Sequence, residues 1–274
     1  MKANRVWLDG RIVPALRARV SILDPAVQIG SGLFEVTRAY NGVPFLLGRH
    51  LQRMRRSARH FGLKLRWSDA AIERGALALL RALRLKDAYV RLVLTEGGTF
   101  LIRATPLPKI PAAWYRRGAA IDYAPWRRDP KAPLFGHKTL NYLENVLALA
   151  QARRKGLADM LFLGLDGRVL EGCVTNVFLV LDGRLVTPSL DGILPGVTRE
   201  VVIELVTSLG FLVEERRILP RDLERADGVF LTNALVEALP VALVAGRRIG
   251  SDPVIEIVRD CYRRLVEEEM RRNT

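Results

Sequence analysis

The sequence predicts an α+β fold with mixed or antiparallel sheets, divided near its middle, and three observations carry that expectation. Strand patterns meet through tight turns more often than through helices, which favours hairpin-built sheets over a purely parallel one. Amphipathic helical stretches are interspersed among the strands. A proline-rich segment over 106–133 separates two stretches that each carry both kinds of element. With 274 residues, 49% hydrophobic and 26% charged, the chain can bury one large core or two ordinary ones.

In chain order, 5–8 and 11–13 form a hairpin about Asp9-Gly10, a pair that supplies the positive φ angles of a type I′ turn. The run GLFEVTRAY over 32–40 reads as a strand that Asn41-Gly42 turns back into 43–47. Leu51, Met54 and Ala58 share one face of a helix over 49–61, which Gly62 stops. Ser68 or Asp69 caps a second helix that ends near 83. Strands follow at 88–95 and 100–105 across Gly97-Gly98. A first domain over 1–115 and an interdomain loop region over 116–135 account for this half, with a strand still possible at 119–123. The remainder, 136–274, forms the second domain. It opens with a helix over 139–155, then strands at 160–164 and 176–181 beside Asp-Gly turns. A helix over 196–209, short strands at 211–215, 229–232 and 241–244, and an amphipathic helix over 253–271 complete it.

The formal net charge is +14, which invites a nucleic-acid reading. The basic residues argue against it, because they are scattered among Glu and Asp with no basic tail, zinc-finger spacing or stacking motif. No apolar run approaches a membrane span, and no secretory signal stands behind MKANRVWLDGRIV. Cys173 and Cys261 lack metal-ligand spacing, so no metal is expected and the cytoplasm is the default compartment.

The chemistry-bearing residues are few. The lysines are Lys2, Lys64, Lys86, Lys109, Lys131, Lys138 and Lys155, and only Lys138 stands at the entry to a buried helix. That helix's positive end, with desolvation, favours the neutral amine that a Schiff base requires. In LPGVTRE, Thr198 lies in the first turn of a helix whose backbone N–H groups suit a phosphate. In VLEGCVTNVFLV, Glu171 is set among apolar residues and needs a cation or proton donor, and Asn176 can tie the loop by bonding its backbone.

The ordered motifs HLQRM, HKTLNYLENVL, LEGCVTNVF, ILPGVTRE and VFLTNALVEALPV resemble one family over nearly the whole chain. It is the class IV pyridoxal-phosphate group of branched-chain aminotransferases, D-amino-acid aminotransferases and aminodeoxychorismate lyases. The resemblance implies the fold type IV architecture of two α+β domains, a homodimer, and pyridoxal 5′-phosphate as cofactor. It implies Lys138 as the catalytic lysine that bonds the cofactor covalently and moves the substrate proton. Glu171 matches the carboxylate at the pyridine nitrogen. Arg53, Val197 and Thr198 match the phosphate site, Tyr142 the tyrosine near the phenolic oxygen, and Leu194 the leucine packed on the ring. Asn233 and Ala234 fall at cofactor and substrate. Phe34, Val36, Tyr89, Arg91 and Leu235 fall in the substrate pocket. His50 and His137 are read as residues that pack or support the site residues beside them, not as catalytic ones.

The diagnostic positions are mixed. Tyr89 and Arg91 match the branched-chain enzymes, although Leu92 replaces a usual proline and Asn233-Ala234 a Gly-Thr pair. Asn233 resembles the lyases, but Val36 stands where they carry a proton-relay threonine. Arg103 is present without the histidine that D-enzymes place after it. The expected function is an aminotransferase acting on a small amino acid and a 2-oxo acid, of branched-chain or D-amino-acid type. Aminodeoxychorismate lyase is the alternative, and a basic nucleic-acid-binding protein the remote one.

Overall fold

Three Asx-Gly turns fold as their residues dictate, whereas at Asp166-Gly167 only Gly167 has a positive φ, 78°. Asp9 and Gly10 have φ of 44° and 90°, Asn41 and Gly42 51° and 84°, and Asp182 and Gly183 49° and 72°. Each pair occupies the left-handed region that a two-residue hairpin demands. The computed structural model describes residues 5–272; residues 1–4, including Lys2, and residues 273–274 lie outside the described part. The chain divides into two compact units. The first runs to Pro108 and includes His137–Asn141 and the chain from Val266; the second holds Lys109–Gly136 and Tyr142–Leu265.

The first unit is built on β1 (Arg5–Leu8), β2 (Arg11–Pro14), β3 (Gly32–Tyr40), β4 (Val43–Pro44), β5 (Ala88–Thr95) and β6 (Phe100–Pro106). They form a six-stranded sheet in the order β2-β1-β6-β5-β3-β4, antiparallel throughout. The short α1 (Pro25–Gln28) precedes β3, and α2 (Leu47–His60) and α3 (Asp69–Leu83) follow β4. Ser68 caps α3, its Oγ accepting from the Ala71 N–H at 3.3 Å. Because strand side chains alternate between faces, Leu33, Ala39, Val90, Leu92 and Ile102 join Leu51, Met54, Ile72 and Leu79 of the helices in one core. Burial of each leucine, isoleucine, valine or methionine side chain among them contributes about 1.5–3 kcal/mol. Phe34, Val36, Arg38, Tyr89 and Arg91 fall on the opposite face of the same strands.

The second unit contains α4 (Ala112–Arg117), β7 (Ala119–Arg128), α5 (Leu143–Arg154), β8 (Asp159–Gly164), β9 (Val169–Gly172), β10 (Asn176–Leu181) and β11 (Arg184–Pro188). It continues through α6 (Val197–Ser208), β12 (Val213–Arg216), α7 (Pro220–Arg225), β13 (Gly228–Asn233), β14 (Glu237–Val244) and β15 (Arg247–Arg248). The closing helix is α8 (Val254–Arg272), of which Ile255 and Val258 pack with Phe178 and Phe230. The nine-stranded sheet runs β12-β11-β10-β13-β14-β7-β8-β9, with β15 beside β14. The pairs β7–β8, β7–β14 and β11–β12 are parallel, so this sheet is mixed. The expected loop region over 116–135 is in part an interior strand. β7 extends to Arg128: Ala119 and Ile121 alternate inward, the register to β8 shifts between Tyr123 and Arg127, where Pro125 falls, and the buried parity moves to Ala124 and Arg128. Among the described residues no helix is long and apolar enough to cross a membrane.

Candidate active site

Lys138 departs from its expected local setting. α5 begins at Leu143, not near 139, so Lys138 does not stand at a helix N-terminus. Instead the segment pairs with the start of β3. The Phe34 N–H donates to the Lys138 carbonyl at 2.9 Å, and Leu140 N–H donates to the Gly32 carbonyl at 2.9 Å. A Cβ on Gly32 would lie 2.7 Å from Leu140 Cδ1 and 2.6 Å from the Leu94 carbonyl, so glycine is required for this approach. The strand-like pairing explains why helical periodicity beyond Lys138 misled the boundary. It also brings the lysine to its neighbours, with Nζ 4.6 Å from the Phe34 ring centroid and the Arg91 guanidinium 3.9 Å from the same ring.

Arg53 on α2 is held by a residue that the sequence reading did not single out. Glu35, 1% exposed on the core face of β3, accepts from Arg53 Nε at 2.8 Å and Nη2 at 2.6 Å. His50 Nδ1 donates to the same carboxylate at 2.9 Å. Burial would raise the Glu35 pKa, but the Arg53 charge and the hydrogen bonds of Arg53 and His50 outweigh it and lower it to about 2. Burial lowers the His50 pKa against the pull of Glu35, which keeps the ring neutral. The bidentate fork fixes the orientation of Arg53. A glutamate at the buried parity of a strand was the available signal, since such a group needs a cation. His137 matches its expected packing role, with Nδ1 2.9 Å from Ser57 Oγ and its ring stacked on His60 at 4.4 Å.

In the second unit, Glu171 closes on Leu194 and Asn176. One Glu171 oxygen accepts from the Leu194 N–H at 3.0 Å and lies 3.5 Å from Asn176 Nδ2, which also donates to the Leu194 carbonyl at 3.0 Å. Asn176 thus ties the loop as its type suggested. The buried Arg128 was not anticipated. It bonds Glu144 at 2.8 Å and Asn145 at 2.9 Å, stands 3.7 Å from Glu171, and covers the Phe162 ring at 3.2 Å. Tyr142, at the start of α5, donates its hydroxyl to the Cys173 carbonyl at 2.8 Å. Burial, with the charges of Glu171 and Asp159, holds its phenol well above the usual pKa, so it remains protonated. Val197 and Thr198 are buried in the first turn of α6, whose N-cap, Gly196, offers no side-chain bond. Asn233 Nδ2 donates to the Val174 carbonyl at 3.1 Å, and its Oδ1 accepts from the Leu235 and Val236 N–H groups at 2.8 and 2.9 Å. The Leu235 N–H is therefore already engaged.

The structure gathers Phe34, Arg91 and Lys138 about one ring in the first unit, with Val36 and Tyr89 on the same sheet face. In the second it gathers Glu171, Leu194, Tyr142 and Asn233 around the loops after β9 and β13. Each unit carries groups of the kind pyridoxal 5′-phosphate needs: an amine in the first, and in the second a nearly buried carboxylate suited to a ring nitrogen and a helix start without a side-chain cap suited to a phosphate. Among the described residues no metal-ligand cluster of His, Cys, Asp and Glu is present.

Comparison with known proteins agrees with this chemistry. The family model for amino-transferase class IV matches residues 32–244. A Methanocaldococcus jannaschii protein, provisionally named a branched-chain-amino-acid aminotransferase, is 34% identical over 93% of each chain. The crystal structure of the Thermoproteus uzoniensis branched-chain aminotransferase with norvaline superposes with a TM-score of 0.88 at 32% identity, covering 96% of this chain and 94% of that one. The T.th. branched-chain enzyme with pyridoxamine 5′-phosphate gives 0.88 at 27% identity, covering 96% and 93%. With a family match through both sheets and relatives along its length, this chain belongs to the class IV aminotransferases, enzymes that work with pyridoxal 5′-phosphate.

Proposed function

We propose that the chain transfers the amino group of a branched-chain amino acid to a 2-oxo acid, with Lys138 as its catalytic residue. The observation that carries this reading is the pairing of Lys138 and Arg91 on the Phe34 ring, at 4.6 and 3.9 Å. An amine and a carboxylate-binding fork thus flank an apolar surface. Pyridoxal 5′-phosphate supplies a carbonyl that bonds amines and a ring that accepts electrons from the substrate Cα–H bond. Lys138 would anchor it through its amine and, once the substrate amine has taken over that bond and freed the side chain, would carry the proton from the substrate α-carbon. Glu171 would hold the pyridine nitrogen protonated. Arg53 in the first unit, and Thr198 and the Val197 N–H in the second, are the groups that would bind a phosphate, and Leu194 would pack on a ring. Tyr142 has one hydroxyl proton, which the Cys173 carbonyl accepts, so donation to a phenolic oxygen would require sharing or redirecting that proton.

Arg91 and Tyr89 would receive a carboxylate, Phe34 and Val36 would face an aliphatic side chain, and Asn233, Ala234 and Leu235 are the substrate-contacting turn of the second unit. Arg91 stands directly opposite Arg103 across β5 and β6. Like charges in that position repel, and an anionic 2-oxo acid relieves the repulsion. The relatives named as branched-chain enzymes support the same substrate class.

Adding L-leucine, L-isoleucine or L-valine alone converts the visible absorbance of the purified holoenzyme to that of the aminated cofactor, and a 2-oxo acid restores it. Response to D-amino acids only overturns the branched-chain reading. Pyruvate release from aminodeoxychorismate with no acceptor overturns transamination.

A homodimer and a cytoplasmic location belong to the same proposal. Two unpaired cysteines suit a reducing compartment. Leu16, Ile22, Leu23 and Ile29 are 71–89% exposed on one segment, and Leu143, Val146 and Leu147 form an exposed apolar stripe on α5. Sedimentation equilibrium should give twice the chain mass, and Ile22→Glu with Leu23→Glu should shift it toward the monomer. A monomeric parent protein sinks the dimer.

A further inference from the structure

The first residue of β8 has no part in the roles above, yet it is among the most heavily bonded side chains in the second unit. Asp159 is fully buried, and among the described residues no cation forms an ion pair with it. A carboxylate so placed is costly unless its lone pairs are filled. Burial raises its pKa, and four hydrogen bonds oppose that. Asp159 Oδ1 accepts from its neighbour's N–H, Met160, at 2.8 Å and from Cys173 N–H at 2.9 Å. Oδ2 accepts from Val174 N–H at 3.3 Å and Thr175 Oγ1 at 2.8 Å. Three of the four donors belong to one turn, Cys173 to Thr175. Gly172 leads into it, and a Cβ there would lie 2.5 Å from Asp159 Oδ2 and 2.3 Å from Thr175 Oγ1. Only glycine lets the turn settle onto the carboxylate.

With its N–H groups turned inward to Asp159, the turn presents its carbonyls to other side chains. The Cys173 carbonyl accepts from the Tyr142 hydroxyl at 2.8 Å and from Asn145 Nδ2 at 2.7 Å. The Val174 carbonyl accepts from Asn233 Nδ2 at 3.1 Å, and Asn233 Oδ1 organises the Leu235 and Val236 amides. We infer that Asp159 is a positioning residue, whose buried carboxylate folds the Cys173–Thr175 turn so that consecutive carbonyls hold Tyr142 and Asn233 in place. An amide cannot replace it. Asparagine offers one acceptor oxygen, and its NH2 would confront the Val174 N–H. The role assigned to Tyr142 rests on the proposed function; the hold on the turn does not.

The two parts are tested separately. In the protein without cofactor, Asp159→Asn raises amide hydrogen exchange about tenfold in both 172–176 and 233–237, the effect of losing roughly one hydrogen bond, while the centre of β10 is unchanged. Loosening of one segment alone, or of the whole sheet equally, overturns the positioning role. In the holoenzyme, Asp159→Asn moves the apparent pKa of the visible band by about half a unit, and the same change moves it less when Tyr142 is already Phe. Equal shifts in both backgrounds, or none while Tyr142→Phe alone shifts the band, would reduce Asp159 to packing. A silent Tyr142→Phe instead removes Tyr142 from the proposed cofactor contacts, and the hold on the turn is then decided by hydrogen exchange. Should Asp159→Asn not fold, Thr175→Val, which removes a single bond to the same carboxylate, must raise exchange over the parent in both 172–176 and 233–237, and no change in either segment overturns the positioning role.

Discussion

Replacing Lys138 with alanine lowers kcat for amino-group exchange by about 10⁴-fold, the upper end of what a positioned acid–base group contributes. It also abolishes covalent attachment. Borohydride reduction followed by intact-mass measurement leaves the cofactor's mass on the parent protein and none on Lys138→Ala. The two readouts separate two failures. A variant that retains label has its anchor at another amine, and one that loses label while keeping a rate within tenfold of the parent has its proton carrier elsewhere. Thermal stability should change little without cofactor, because the segment is held by backbone bonds between Lys138 and Phe34 and between Leu140 and Gly32, which survive the substitution. Arg91→Ala complements this result: loss of a carboxylate contact made throughout the reaction raises KM more than it lowers kcat.

Much of this arrangement was legible in the residues, and the exceptions share a cause. Asn41-Gly42 and Asp182-Gly183 announced their hairpins because only a few residue types tolerate both positive φ angles. Ser68 announced α3 because its hydroxyl can satisfy a helix-start amide. Such signals are local. Lys138 was found by its ordered motifs, but its setting was misjudged, since pairing with β3 involves residues far away along the chain. Arg128 and Asp159 carry no local sequence signal for the same reason. Each sits at the end of a strand, and its meaning comes from partners on other elements: Glu144 and Glu171 for one, the Cys173 turn for the other. The expected strand at 160–164 began one residue after the carboxylate that organises the loop. Parallel pairing of β11 with β12 was equally hidden, because a crossover connection leaves no turn signature between its strands.

Glu35 gives the second large effect. Glu35→Ala removes one partner of a buried ion pair and leaves the Arg53 guanidinium in a low-dielectric site without this carboxylate, at a cost of about 3–5 kcal/mol. Glu35→Gln keeps the shape and one acceptor, so it should destabilise less than alanine while losing the charge. The pH dependence separates the charge from the packing. The folded pKa, about 2, lies below the ordinary value of 4.5, so the ionised group stabilises the fold at any pH above the unfolded pKa. That contribution declines as pH falls below 4.5 and is gone once pH passes below 2. Urea midpoints for the parent should therefore drop across that interval, and the glutamine variant should lack this component, so the two curves converge in acid. Parallel curves would mean that Glu35 is not ionised in the fold, and the electrostatic hold on Arg53 would fail with it. Convergence carries a functional consequence. Because Arg53 is the arginine assigned to the cofactor phosphate, Glu35→Gln should weaken pyridoxal 5′-phosphate binding even at neutral pH, where the variant is folded. Fluorescence titration of the protein with cofactor measures that loss directly. An affinity equal to the parent's would assign the Glu35–Arg53 fork to the core of the first unit alone.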